Sequence, residues 1–325
     1  MKATCRVYLF TYKRNHLLIR AINSLLKQTF QNWVCELHND SVEDSFPEQY
    51  IKQLHDNRFI IKNHESNLGG TKSFNLAFTG CPEKYASILE DDNWWEPDFL
   101  EQMINIMDSN PTINIAWSNM FIWREVADSN WVNTGKTIWN ETETDKTFNW
   151  PANRPAMAAL HSNGAMIYKG AEAANYSIPD NCEFSIIEPV RERLFKFPIY
   201  LVSKPMANFS HTISTSRSNQ KWVWTACQAM LLSSFIEAAN ASQQKFKETL
   251  AIYRQQEPSP LSNFFVAIFF ILKKPSLCKF LTLNDWLIIN KWLIKNIFNI
   301  LKIKAYLTQQ QNVYTFLKEN TVKSP

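Results

Sequence analysis

The sequence has none of the cysteine spacings that mark a metal–thiolate site or a disulfide framework. Its six cysteines (Cys5, Cys35, Cys81, Cys182, Cys227 and Cys278) stand far apart and no CxxC occurs. That excludes a zinc or disulfide scaffold and fits a reducing cytosol. A secretory leader is not expected either, because Met1-Lys2-Ala3-Thr4 runs almost directly into a strand. Long hydrophobic runs are missing. The longest, Phe264 to Leu272, is nine residues, under half of the ~20 a membrane span needs. No internal repeat and no low-complexity block is present. The net charge of +4 is too small to argue for nucleic acid.

What is present is an ordinary globular composition over 325 residues, 45% hydrophobic and 20% charged, enough for one large domain or two. Aromatics are rich at 14%, with 12 tryptophans; sugar-handling clefts use such rings, and so do plain cores. Charge is unevenly spread. Residues 1–218 carry 21 Lys+Arg and 25 Asp+Glu, whereas residues 219–325 carry 13 and 5. An acidic front and a basic rear point to two parts with different partners, and the boundary is expected near residue 218.

Arg6 to Phe10 reads as a buried strand, and Leu18, Ile22, Leu25 and Leu26 put an apolar face on the helix that follows. Trp33 to His38, Phe59 to Lys62 and Tyr85 to Leu89 read as three further strands, with helices over Pro47–His55 and Thr71–Phe78 between them. Such alternation predicts an α/β fold with right-handed crossovers and a mostly parallel sheet. Ligands of these sheets bind beyond the carboxyl ends of the strands. Thr11 and Tyr12, Asp40, Asn67 to Gly70, and Glu90 to Asn93 therefore share one rim. Tyr12 suits stacking on a base, Asp40 suits a base or ribose, and the helix opening after Gly70 suits a phosphate. Carboxylates crowded at a strand end repel one another, and a divalent cation with substrate phosphates is their natural partner. Each residue alone has a plainer reading, as a turn or a cap; their shared placement carries the expectation.

The order of these elements resembles family 2 glycosyltransferases of the GT-A fold. Their opening loop matches Phe10-Thr11-Tyr12-Lys13-Arg14, and their first helix matches Ala21-Ile22-Asn23-Ser24-Leu25-Leu26-Lys27-Gln28-Thr29-Phe30. Asn39-Asp40-Ser41 stands at the acidic end of the second strand. Asn67-Leu68-Gly69 and Asn75-Leu76-Ala77 match the glycine turn and its helix. Leu89-Glu90-Asp91-Asp92-Asn93 matches L-D-x-D-D, and Trp95-Glu96-Pro97-Asp98-Phe99 the segment after it. The likeness is close over 4–110, looser over 111–215, and absent from the tail.

The resemblance implies a nucleotide-diphosphate sugar donor, a UDP-sugar first, with Thr11, Tyr12 and Asp40 near the nucleoside. Arg14, Asn67, Gly69, Lys72, Glu90 and Asp91 complete the donor-binding set. Asp92 is implied as ligand of Mn2+ or Mg2+, with His211 as a second ligand. A general base is implied at Glu188, in Ile187-Glu188-Pro189-Val190-Arg191, with Glu183 as the alternative. The acceptor is a glycan or lipid-linked hydroxyl in cell-surface polysaccharide synthesis. Phe10 replaces a proline, Asn39 and Asn93 each replace an aspartate, and Glu90 lengthens another by a methylene.

Asn163 to Lys169 resembles the family's turn and strand beside the donor sugar. The segment 124–155, with Trp131, Trp139 and Trp150, is expected to be an acceptor-side loop region or a surface insertion pinned by tryptophans. Helices are expected over 220–256 and 262–306. Over Asp285–Lys304 an apolar stripe of Trp286, Ile289, Leu293, Ile297, Ile300 and Leu301 is interspersed with lysines. It suits either a peripheral contact with the inner face of the cell membrane, through residues 262–306, or docking on the rest of the protein. Two rivals remain: a sugar nucleotidyltransferase, which Thr11 to Asn15 disfavours by containing no glycine, and a catalytically inactive sugar-nucleotide-binding module.

Overall fold

A computed structural model describes residues 3–127, 130–140, 143–149, 159–213, 221–238, 271–272 and 275–321. The chain divides into two compact units. One comprises Met1–Trp150, His161–Ser177 and Phe195–Ser216; the other comprises Pro151–Leu160, Ile178–Leu194 and Arg217–Pro325.

The first unit begins as expected. Strands β1 (Cys5–Thr11), β2 (Trp33–Asn39), β3 (Phe59–Asn63) and β4 (Tyr85–Glu90) alternate with helices α1 (Asn15–Leu26), α2 (Phe46–Leu54) and α3 (Gly70–Leu76). They pair in parallel in the order β3-β2-β1-β4. Their unbroken apolar runs fit strands covered on both faces: Val7, Leu9, Cys35, Leu37, Ile88 and Leu89 are all fully buried. On α1, Leu18, Ile22 and Leu25 face the core and Leu26 packs against it. Phe10, where a proline was expected, stacks on Phe74 at 5.0 Å and on His38 at 5.1 Å, so an aromatic layer replaces the rigid turn.

Past β4 the sheet is mixed. The short β5 (Trp94–Trp95) precedes α4 (Phe99–Ser109). β6 (Ile115–Ala127), β9 (Met166–Lys169) and β10 (Ile199–His211) extend the sheet as β4-β9-β6-β10-β5. β9 is antiparallel to both neighbours, and β10 is parallel to β6. Residues 124–127, 130–137 and 146–148 are strand and not loop. β6 runs on to Ala127 and returns as β7 (Asn130–Thr137), and β8 (Lys146–Phe148) pairs with β10. The residues of β7 lie exposed or half-buried on a solvated ribbon, which composition alone reads as loop. Trp139 is buried edge-on against Trp117 at 6.0 Å. Trp150 lies outside the described residues.

The second unit holds the short α5 (Ile187–Arg191), α6 (Lys221–Ala238), α7 (Leu283–Gln309) and α8 (Gln311–Thr321). The remainder of the helix expected over 220–256, and most of 262–274, lie outside the described residues. α7 opens on a capping box: the Thr282 hydroxyl accepts from the Asp285 amide at 3.3 Å, and the Asp285 carboxylate accepts from the Thr282 amide at 2.8 Å. No helix among the described residues is long and apolar enough to cross a membrane.

Candidate active site

The parallel strands deliver their ends to one rim. Thr11 pairs with Asn39 across β1 and β2, and Phe10 pairs with Glu90 across β1 and β4. The Asp40 amide donates to the Thr11 carbonyl at 3.0 Å, and the His64 amide to the Asn39 carbonyl at 3.1 Å. Asp40, nearly buried, uses its carboxylate inward as well. Oδ1 accepts from the Leu68 amide at 2.7 Å and Oδ2 from the Gly69 amide at 3.1 Å. Gly69 also donates to Asn67 Oδ1 at 2.7 Å, and its φ of +77° is the left-handed conformation that favours glycine. Asp40 and Asn67 thus shape the turn that opens α3. Behind them His64 Nδ1 faces Asp40 Oδ1 at 3.0 Å, His38 Nδ1 faces His64 Nε2 at 3.0 Å, and His38 Nε2 faces Glu36 at 2.9 Å.

Asn39, the departure from aspartate, donates to the Asp44 carbonyl at 2.7 Å and to Asn63 Oδ1 at 3.1 Å, and accepts from the Ser41 amide at 3.1 Å. A carboxylate could make only the last of these, so the amide belongs to this loop. Tyr12, 45% exposed, stands at the rim with Lys13 Nζ 5.4 Å from its ring centre, and Lys72 is exposed on α3. Two residues that sequence reading passed over join them. The Ser41 and Ser73 hydroxyls are buried with no hydrogen-bond partner among the described residues, and a buried polar group without a partner calls for an explanation. Serines in turns are too common to stand out in a sequence.

The acidic turn after β4 is held from three sides. Asp91 is fully buried and ion-paired with Arg14, whose Nη1 also donates to Asp92 Oδ2 at 2.6 Å. Burial pushes the Asp91 carboxyl up to about 7, against the opposing pull of the Arg14 guanidinium. Arg20 donates to the Asp92 carbonyl at 2.6 Å and to Ser210 Oγ at 3.0 Å, and Ser210 Oγ donates to the same carbonyl. The Arg20 guanidinium lies 3.9 Å from the ring centre of Trp94 and 4.0 Å from that of Trp131, a cation between two π faces. Burial lowers its pKa to about 10.

Glu90 and Asn93 are a matched pair of departures. Asn93 Nδ2 donates to Glu90 Oε2 at 2.6 Å, and Asn93 Oδ1 accepts from the Ser210 amide at 3.0 Å. An aspartate at 93 could not donate to the glutamate. Gly164, in the turn before β9, completes the fit: a Cβ there would stand 2.7 Å from both Glu90 Oε2 and Asn93 Nδ2. The Gly164 carbonyl accepts from Trp95 Nε1 at 2.8 Å.

His211 directly follows Ser210 at the exposed end of β10, with Phe209 ring-to-ring at 5.1 Å. No group of three or more His, Cys, Asp or Glu side chains among the described residues could hold a metal ion by itself. The donor set fits a divalent cation in one way: the partly exposed Asp92 carboxylate acting with oxygens of a bound diphosphate, the usual arrangement for magnesium. Glu183 and Glu188 belong to the second unit. Glu188 sits in the first turn of α5, half-buried, and Ser185 Oγ lies 3.5 Å from Glu183 Oε1.

Residues 7–162 match the family model Glycosyl transferase family 2. The chain carries a family 2 glycosyltransferase domain. Over 117 residues it is 32% identical to WcaA of Escherichia coli K12, named as a candidate glycosyl transferase of colanic acid biosynthesis; this covers 36% of this chain and 42% of WcaA. Over 109 residues it is 26% identical to the E. coli glucosyltransferase WfgD, whose name specifies UDP-Glc and a GlcNAc-diphosphoundecaprenol acceptor; this covers 34% of this chain and 42% of WfgD. The matched part spans under half the length of these relatives. The GT-A fold of this glycosyltransferase domain is shared with S. aureus TarS 1-349, at a TM-score of 0.58 and 15% identity over 97% of this chain and 90% of that one. The same TarS segment is known in complex with UDP and with UDP-GlcNAc.

Proposed function

We propose that this protein is an inverting, metal-dependent glycosyltransferase. It moves a sugar from a nucleotide-diphosphate sugar, a UDP-sugar first, to a hydroxyl of a glycan or lipid-linked acceptor in cell-surface polysaccharide synthesis. The acidic turn carries this reading: Glu90 to Asn93 is held by the Arg14 and Arg20 side chains and by Ser210 of β10, with Gly164 packed close against Glu90 and Asn93, at the rim where α/β sheets take ligands. The UDP complexes of TarS and the lipid-diphosphate acceptor in the WfgD name support the donor and acceptor classes.

Tyr12 stacks on the base, and the Ser41 and Ser73 hydroxyls beside Thr11 and Asp40 take polar groups of the nucleoside. The Asn67–Gly69 turn and Lys72 lie toward the phosphates. Asp92, with His211 second, would hold Mn2+ or Mg2+, and that ion would supply positive charge to the departing diphosphate. Arg14 moves with Asp92 and Asp91 and contributes positive charge at the same place. Glu188 accepts the acceptor hydroxyl proton as the anomeric carbon is attacked from the opposite face, with Glu183 as the alternative base. The setting is the cytoplasmic side of the membrane.

Incubation with manganese and a panel of sugar nucleotides should release nucleoside diphosphate from one of them. Asp92→Asn should lower turnover about a hundredfold or more; full activity of that variant at saturating manganese sinks the mechanism. A binding-only module is favoured by one observation, the Arg14 guanidinium already resting on Asp92. It would show nucleotide-dependent stabilisation with no product from any donor.

A further inference from the structure

Helix α7 has apolar residues on two sides, and only one side is covered among the described residues. Ile289, Ile303 and Leu307 are buried. The stripe expected from periodicity is split: Ile289 is buried, whereas Ile297 and Leu301 are exposed. A second line, Leu283, Leu287, Ile294, Ile297 and Leu301, is 57–84% exposed. Its intervals of four, seven, three and four residues keep it on one side of the helix, over a length of about 27 Å. Single exposed leucines are ordinary, but five exposed apolar residues over this length, with the exposed Asn290 among them, mark a contact surface.

The margins of the line identify what it contacts. On a helical wheel the exposed Lys291 and Lys302 flank it on one side, and Lys304 and the part-exposed Trp286 flank it on the other. Residues 219–325 carry 13 Lys+Arg against 5 Asp+Glu. Leucine and isoleucine along the centre, lysine on both shoulders and tryptophan at the edge is the arrangement of a helix lying flat among lipid headgroups. The apolar line enters the acyl boundary while the lysine stems reach outward to phosphates. A protein partner offering an apolar groove would place no such demand for cations on both sides.

We propose that the Leu283–Leu301 face of α7 docks on a bilayer rich in anionic phospholipid, with Lys291, Lys302 and Lys304 at its headgroups. This goes beyond the sugar-transfer reading, and its test contains no nucleotide, so either can fail without the other. Full-length protein is floated with vesicles of phosphatidylcholine alone or with about a third phosphatidylglycerol. Binding is expected only to the anionic vesicles and should fall steeply in about 0.5 M salt. The double variant Ile294→Glu/Leu301→Glu should bind at least tenfold less. Should far-UV circular dichroism show that variant unfolded, the triple variant Lys291→Gln/Lys302→Gln/Lys304→Gln decides. It leaves the apolar line intact and should lose about fivefold per lysine. Failure of the wild type to float with anionic vesicles overturns the proposal. So does unchanged binding of the folded Glu variant or of the Gln variant. Light scattering that shows a dimer abolished by the same Glu substitutions also overturns it, since a second copy would then cover the line.

Discussion

Arg20 shows how a single side chain can govern an acidic turn without touching its carboxylates. It holds the Asp92 carbonyl from between two indole rings. A lysine keeps the charge but not the flat guanidinium, so Arg20→Lys should behave much like Arg20→Met. Both should lose about 2–4 kcal/mol, from a charged hydrogen bond and stacking on Trp94 and Trp131. Loss of the stack should also shift tryptophan emission, and the apparent manganese requirement for nucleotide binding should rise. Thermal melts, fluorescence and calorimetry read these separately; a Lys variant indistinguishable from wild type in all three would refute the role. Gly164→Ala addresses the same turn from the other side. The added carbon must displace Glu90 and Asn93, at about 1–3 kcal/mol of overpacking. Turnover should fall more than the melting temperature does. At this scale the placement of Arg14, Asp40 and Asp92 on the rim was legible, because strand ends and the turns after them fix it. The roles of Arg20 and Gly164 were not legible, because they come from neighbours 71 to 190 positions away; Ser41 and Ser73 were not, because serines in turns are too common to stand out.

Among the elements, the parallel half of the sheet is tied by a charge ladder on its surface. Arg6 on β1 pairs with Glu36 on β2 and with Glu83 just before β4. Hydrogen bonding to His38 lowers the Glu36 carboxyl, and Arg6 lowers it further. Burial pushes Glu83 up, but Arg6 overcomes this and holds it below its usual value. Folded values beneath the ordinary 4.5 mean stability present above that pH and lost as pH falls through the lowered values. Melting temperature should therefore drop steeply below about pH 4.5, and Arg6→Met should flatten that drop while lowering stability at neutral pH. A flat acid limb in the wild type would contradict it. The early strands and helices were legible because their periodicities are clean and their ends carry turn residues. The β6–β7 ribbon was not, since its exposed and half-buried polar residues mimic a loop. On α7 periodicity read a single apolar stripe, and it cannot tell a covered face from a bare one.

At the scale of the molecule, the acidic front and basic rear differ in what they can attract. Ligand binding gives a test of the front unit as a whole. UDP with manganese at a hundred times its Kd should add about 2.7 kcal/mol, raising Tm by several degrees, while adenosine diphosphate should do less. Equal shifts with every nucleotide would argue against a selective base site. One further consequence lies in the company Asp91 and Asp92 keep. An approaching pyrophosphate bears the same sign as Glu90, Asp91 and Asp92. The guanidinium groups of Arg14 and Arg20 already lie among them, so the newcomer meets a nearly balanced surface and not a wall of like charge. A diphosphate bound here as proposed would then not rely on a metal alone for positive charge at this turn.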